Sequence, residues 1–340
     1  MPANLSPEYK KAERAYREAR EPRERLELLK EMLRTIPKHK GTDHLQADIK
    51  SRIKELSEEL QAPRKGGARS AAPHSVRREG AAQVCLAGPP NSGKSSLHAL
   101  LTGSKSEIGP FPYTTREPIL GMLAWEDIRF QLVDLPPVSH AHMEPWIAAV
   151  LHEAEAAWLV VDLADPACAE HVQMVRDELA RRKITLTDRW PGLGDAGAEN
   201  DEVSDPFRAT LPTLLVGNKC DLDPEPDELR VLEELAGVRY PALAASAKTG
   251  QGLERLAPFL AEALGIVRVY SKVPGKPADR VRPFVMRRGD TVLDVARLVH
   301  QDLAHTLRFA RVWGSGEFDG QQVGPEHRVA DRDVLELHVK

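Results

Sequence analysis

The sequence predicts an α/β protein: a mainly parallel sheet with helices on both faces, preceded by an α-helical region and followed by a small, half-open β-grasp unit. Three observations predict it. Short apolar runs alternate with helical patterns between Ala81 and Gly265. A Gly-rich loop joins the first of those runs to a helical pattern. The flanks differ in character, rich in Glu, Lys, Arg, Leu and Ala before residue 62 and strand-like after residue 265.

Taken in order, Ser6–Arg20, Pro22–Ile36 and Thr42–Leu60 carry apolar residues at helical spacing, such as Leu26, Leu29, Met32 and Leu33. Thr42 and Asp43 offer caps for the third helix. The stretch 63–80 is rich in Pro, Gly, Ser and Arg and reads as a linker. The central domain, 81–265, opens with a strand at Gln83–Leu86 and a helix at Ser95–Leu101. Ile119–Trp125 and Ile128–Val133 form a strand pair, and Ala157–Val161, Thr213–Val216 and Tyr240–Ala245 are further strands before a helix at Leu253–Leu264. Thr185–Ala209 is too polar and too rich in Gly, Asp and Pro to pack, so a loop is expected there. The last domain, 266–340, has strands at Val267–Val273, Val281–Met286, Phe309–Trp313 and Val334–Val339, with a helix entered through Asp290-Thr291.

Charge is uneven. The net value of −4 is the sum of +6 over residues 1–80, −13 over 81–265 and +3 over 266–340. Basic flanks suit a polyanion, RNA first, although a solvated helical surface gives the same count. No apolar run approaches the ~18 residues of a membrane span, and Met1–Lys11 is polar and charged rather than secretory in pattern. Cys85, Cys168 and Cys220 are scattered without metal-ligand spacing, as expected of reduced thiols in a cytoplasmic protein.

Two motifs carry the chemistry. Gly88-Pro89-Pro90-Asn91-Ser92-Gly93-Lys94-Ser95, followed by Ser96, lies between strand and helix. Such a loop turns backbone N–H groups toward phosphates, with the helix dipole behind them. Lys94 is expected to reach the β- and γ-phosphates, and the Ser95 hydroxyl to bind Mg²⁺. Asn218-Lys219-Cys220-Asp221 selects the base. The Asp221 carboxylate needs two adjacent donors, which guanine supplies through N1–H and the 2-amino group and adenine does not. Asn218 fixes the base edge, the Lys219 stem stacks on the ring, and Ser246-Ala247-Lys248 offers the Ala247 N–H to guanine O6. GTP and GDP are therefore the expected ligands.

The remaining parts are less regular. Thr115 is the expected switch threonine for Mg²⁺ and, with Lys94, for catalysis; Thr114 competes for the role. Asp134, at the end of a strand, fits the Mg²⁺-associated carboxylate. Pro137 stands where GTPases normally place a glycine whose N–H meets the γ-phosphate, and proline has none to give. Either sensing of that phosphate is weakened or Val138 supplies the N–H after a shift. Val138 itself stands where some GTPases carry a water-orienting glutamine. Asn91 either helps hold K⁺ beside the phosphates or serves as a turn residue. His140 and His142 either position water or lie on a solvated loop.

With these motifs in order, the chain resembles the translation-factor-related GTPases of the P-loop NTPase class, and more narrowly the Obg and developmentally regulated GTP-binding group. The narrower likeness rests on Ile36–His44 through Leu60, on Pro112–Thr115, and on a tail from Ile266 that is similar to a TGS domain through Arg288-Gly289-Asp290-Thr291-Val292 and Asp331–Leu337. It implies a Mg²⁺-dependent GTPase, slow and stimulated by a partner or by K⁺, acting on ribosomes or RNA, with a possible protein cofactor at the N-terminal helices and no membrane contact. A GTP-binding interaction module with little hydrolysis is the other expectation, motivated by Pro137 and Val138. The chain departs from the developmentally regulated branch in one further way. Ala156 follows Asp134 by only 22 positions, too few for the extra domain inserted there.

Overall fold

The computed structural model describes residues 6–19, 21–37, 42–61, 76–104, 117–139, 143–194, 207–222 and 228–339. Three helices come first: α1 (Pro7–Glu18), α2 (Pro22–Thr35) and α3 (Asp43–Gln61). Ser6 caps α1, its Oγ accepting from Tyr9 N at 3.1 Å and donating to Thr35 O at 3.0 Å, so one side chain both starts a helix and ties it to the next. Tyr9, Leu29, Met32, Ile36 and Ile49 are buried between the helices, and Phe207 joins them, edge-on to Tyr16 at 6.2 Å. Among the described residues, this helical unit comprises α1 to α3 with their joining residues, and residues 207–209.

The second compact unit holds the rest of the chain. Its first sheet is built from β1 (Gln83–Ala87), β2 (Ile119–Trp125), β3 (Ile128–Asp134), β4 (Ala156–Asp162), β5 (Ile184–Thr187), β6 (Ala209–Asn218) and β7 (Ala242–Ala244). The order is β2-β3-β1-β4-β6, with β5 and β7 also paired to β6. β1 runs parallel to β3 and β4, and β6 parallel to β4 and β7; β2 is antiparallel to β3. All five residues of β1 are buried, which explains its unbroken apolar pattern. The helices α4 (Lys94–Thr102), α5 (Pro145–Glu153), α6 (Cys168–Arg181), α7 (Glu228–Ala236) and α8 (Leu256–Ala263) cover the strands. Leu97 of α4 and Leu256 and Leu260 of α8 pack with Val84, Leu86, Phe130, Leu132 and Trp158.

A second sheet follows, from β8 (Ile266–Lys272), β9 (Ala278–Arg287), β10 (Leu307–Trp313), β11 (Gln321–Val323) and β12 (Asp333–Val339), in the order β11-β10-β12-β8-β9. The helices α9 (Val292–Val299) and α10 (Gln301–Thr306) lie between β9 and β10 in sequence. Thr291 and Asp294 form a reciprocal capping box at the start of α9. Val292 and Val295 pack on Val267, Val269, Ala310, Val312 and Leu335.

The sequence suggests that this tail is a separate small unit; it has a sheet of its own, and side chains fasten it to the first sheet. Arg268 is the reason. Its side chain is 3% exposed, and it bonds Asp331 at 2.7 and 3.0 Å, Asp127 at 2.9 Å, and Glu126. Its guanidinium also sits 4.9 Å from the Trp125 ring centroid. Tyr270 donates to Asp127, and Arg332 to Glu126 at 2.8 Å. The turn joining β2 to β3 is thereby gripped by β8 and by the residues before β12. The Arg268 hydrogen bond holds the Glu126 carboxyl below the usual range, with Arg332 adding to it. For Asp127 and Asp331, burial pushes upward, but the hydrogen bonds from Tyr270 and Arg268 win.

Other differences have local causes. Residues 185–209 begin as strand, because Ile184–Thr187 pairs at the sheet edge, and they contain Trp190, buried and edge-on to Phe259 at 5.2 Å. Residues 76–80 of the expected linker run beside β3: Glu79 N donates to the Gln131 side chain, which donates in turn to Arg77 O. The helices α5, α6 and α7 are elements the sequence reading does not name. Among the described residues, no helix is long and apolar enough to cross a membrane.

Arg268→Met should lower the midpoint of thermal unfolding by several degrees, because three carboxylates lose the buried cation they share and only Glu126 and Asp331 keep Arg332 nearby. The grip should also weaken with acid. These carboxyls have depressed pKa values, so their contribution is complete above the ordinary carboxylate range and is lost as pH falls through the lowered values. Amide exchange in 266–339, followed from pH 7 downward in both proteins, measures this.

Candidate nucleotide-binding site

The register of the first sheet brings four strand ends to one edge. Leu86 lies opposite Asp134, Ala87 opposite Leu159, and Asp162 opposite Asn218. In open α/β sheets, ligands bind outside the carboxyl ends of the strands. The loop 88–93 leaves β1 there, Asp134 ends β3, and Asn218 ends β6.

The loop is held by close approaches that only glycine permits. A Cβ on Gly88 would lie 2.2 Å from the Val160 carbonyl oxygen. One on Gly93, where φ is +86°, would lie 2.1 Å from Asn218 Nδ2. Asn91 is exposed and left-handed at φ +60°, a conformation asparagine accepts more readily than most residues. Pro89 and Pro90 fill the outer turn, and Ser96 lies in the first turn of α4 behind Lys94 and Ser95.

Lys94 is 5% exposed. Its Nζ donates to Pro89 O at 2.7 Å, to Gly88 O at 3.2 Å and to Ser92 Oγ at 3.3 Å. Burial brings its pKa down to about 8, partly offset by Asp134. An ammonium held only by neutral acceptors at a loop mouth is available to a stronger, anionic one. Ser95 Oγ donates to Asp134 Oδ2 at 2.6 Å, joining the start of α4 to the end of β3.

The base-reading residues converge as well. Asn218 Nδ2 donates to Ser92 O at 2.9 Å, and Asn218 Oδ1 accepts from Ala247 N at 3.0 Å. The N–H that the sequence assigns to guanine O6 is thus directed at Asn218 here. Ser246 Oγ donates to Asp221 Oδ1 at 2.6 Å and accepts from the backbone of Lys248 and Thr249. That Ser246 bond leads in holding the Asp221 carboxyl below its ordinary range, and Lys248 Nζ, 3.7 Å from Asp221, adds to it. The carboxylate is consequently kept charged.

Sequence reasoning missed two residues. Asp162, at the end of β4, takes an ion pair from Lys219 and fixes a side chain whose backbone is left-handed at φ +65°. Its signal was a lone acid ending an otherwise apolar strand. His98 is fully buried on α4, with Nε2 3.3 Å from Leu132 O and Nδ1 3.0 Å from Ser104 Oγ. Burial lowers its pKa. Thr114, Thr115, His140 and His142 lie outside the described residues. Leu135–Val138 are all buried, and Val138 N donates to Gly88 O at 3.0 Å. Of the two alternatives at Pro137, the one in which Val138 supplies the N–H meets an N–H already committed to the phosphate loop.

Residues 83–193 match the family described as 50S ribosome-binding GTPase, and residues 267–339 match the TGS domain. A GTP-binding protein of Methanocaldococcus jannaschii is 27% identical, over 93% of this chain and 93% of its own length. Developmentally-regulated G-protein 2 of Arabidopsis thaliana is 28% identical, over 92% of this chain and 89% of its own. A solved GTP-binding protein from Pyrococcus horikoshii aligns over 76% of this chain and all of its own, at 16% identity and a TM-score of 0.48.

The depressed pKa of Lys94 makes nucleotide binding pH-linked. Above pH 8 the empty site increasingly holds a neutral amine, whereas bound phosphate favours the ammonium. Binding should therefore take up a proton, and affinity should fall by up to about tenfold per pH unit above 8. Titration calorimetry at pH 9 in two buffers of different ionisation heat measures the uptake; equal heats would refute it.

Proposed function

We propose that this chain, a GTPase with a TGS domain related to the developmentally regulated GTP-binding proteins, is a slow switch that acts on the ribosome or on RNA in the cytoplasm. The observation that carries the nucleotide part is the meeting of Lys94, the Ser95–Asp134 pair and the Asn218–Asp221–Ser246 cluster at one sheet edge. Asp221 reads N1–H and the 2-amino group, Asn218 and Ala247 frame the base edge, and Lys219, steadied by Asp162, lies along the ring. The loop 88–96 and Lys94 take the phosphates.

Mg²⁺ suits the donors present: a hydroxyl and a buried carboxylate 2.6 Å apart, both hard oxygen groups beside the phosphate loop. Ser95 and Thr115 would hold it, with Asp134 behind. Bound there, the ion would neutralise charge gathering on the phosphate oxygens. The left-handed Asn91 fits the turn role by its backbone alone; its exposed amide is also the group we assign to K⁺. Ribosome or RNA action is supported by the basic flanks and by the description of the matching GTPase family. The scattered thiols support a cytoplasmic setting.

A second reading, GTP binding with little hydrolysis, is favoured by one observation. Pro136 and Pro137 have no N–H, and that of Val138 is taken by Gly88 O. Val138 is also buried and apolar, so it cannot orient water.

Two measurements decide. Phosphate release should be slow alone and rise at least about tenfold with ribosomes, and rise further when K⁺ replaces Na⁺; no release under any of these conditions selects the second reading, and equal rates in both salts remove the Asn91 ion. Pro137→Gly should raise hydrolysis several-fold, or widen the difference in affinity between GTP and GDP, by restoring an N–H near the γ-phosphate. A variant indistinguishable from the parent would show that this position limits neither.

A further inference from the structure

α4 meets the nucleotide site only at its first turn. Lys94 and Ser95 serve the ligand there, and Leu97 packs into the core beneath the first sheet. His98 follows Leu97 and is just as fully buried. A leucine would fill such a position without the cost of taking an imidazole out of water. Bonds must compensate the ring for that cost, and both of its nitrogens are engaged. Nε2 lies 3.3 Å from Leu132 O, and Nδ1 lies 3.0 Å from Ser104 Oγ.

These partners fix the state of the ring. A carbonyl oxygen only accepts, so Nε2 carries the proton and Nδ1 accepts from the Ser104 hydroxyl. Ser104 is held in turn. Its N–H donates to Thr102 Oγ1 at 3.2 Å, and the Thr102 hydroxyl donates to His98 O at 2.8 Å. The loop of bonds closes on His98, so the imidazole cannot turn without breaking one of them. Burial lowers the pKa of the ring against the pull of Asp134, in keeping with a neutral imidazole.

Two bonds consequently join α4 to β3. Ser95 Oγ donates to Asp134 Oδ2 at 2.6 Å. One turn further along the helix, His98 donates to the strand backbone two residues before Asp134. The first bond lies at the ligand's edge and the second is set back from it in the core. Apolar packing is non-directional and leaves a helix room to slide on a strand, whereas a directed bond does not. Mg²⁺ accepts little variation in ligand distance, so a bond that fixes the two elements bears on how well it is held.

Resting on the Mg²⁺ reading above, we propose that His98 is a positioning residue for that ion. Its bond to Leu132 O sets the spacing between the Ser95 hydroxyl and the Asp134 carboxylate.

The test follows release of fluorescently labelled GDP from the full chain by stopped flow, once with Mg²⁺ and once with EDTA. The parent should release GDP more slowly with Mg²⁺, and the ratio of the two rates measures what the ion contributes. His98→Leu fills the core but makes neither bond. Its rate in EDTA should match the parent's, while its ratio should shrink by about tenfold, the lower end of the loss when a group that orients a metal ligand is removed. His98→Gln, whose amide N–H can reach Leu132 O, should recover most of the ratio. A part in stability alone would speed release equally in both conditions, and would make glutamine the worse replacement at a buried position. An unchanged circular dichroism spectrum certifies folding; if His98→Leu fails this check, His98→Met takes its place. A parental ratio in the apolar variant, or a glutamine variant no better than it, would overturn the role of His98 and leave the Mg²⁺ reading standing. A parent that releases GDP equally fast in both conditions overturns the Mg²⁺ reading, and the role of His98 with it.

Discussion

The side chain of Asn218 is the interaction on which the rest of the site depends. Its amide is used at both ends, giving a hydrogen bond to Ser92 O and taking one from Ala247 N. It therefore fastens the phosphate loop to the base-reading loop, segments far apart in sequence. The constraint reaches into the sequence around it. Gly93 must lack a side chain because Asn218 Nδ2 occupies the space. Such a buried amide, satisfied on both sides, is costly to disturb and fixes the spacing between the two halves of a ligand.

Much of this was legible from residue types, because the chemistry depends on local backbone. A strand, a glycine-bearing turn and a helix start are encoded within a dozen residues, and so are the Asn-Lys-x-Asp element and the capping box at Thr291. The β2–β3 pair was also readable, since its alternation and tight turn are short-range signals. What escaped the sequence depends on contacts distant along the chain. Trp190 sits in a segment whose composition reads as loop, and it is ordered by Phe259 from a helix far downstream. Asp162 acquires a role only because β4 and β6 are neighbours in register. The commitment of Val138 N–H to Gly88 follows from how the segment after β3 lies on the loop after β1, which no spacing rule reveals.

The Arg268 cluster shows the same limit at domain scale. Its carboxylate partners come from the β2–β3 turn and from Asp331 just before β12, so no single stretch of sequence announces it. It also departs from the usual economy of surface charge. An exposed ion pair contributes little, whereas here one nearly buried guanidinium satisfies three acids and lies over an indole. The tail is thereby coupled to the strand whose opposite end is Asp134.

That arrangement bears on how the enzyme can be dissected. A shortened chain that stops at residue 265 would retain every nucleotide motif, yet it would uncover Trp125 and strip Glu126 and Asp127 of their cation, at the far end of the strand that terminates in Asp134. Such a fragment is a different molecule in its second and third strands, and rates measured on it would describe a GTPase core released from its own scaffold.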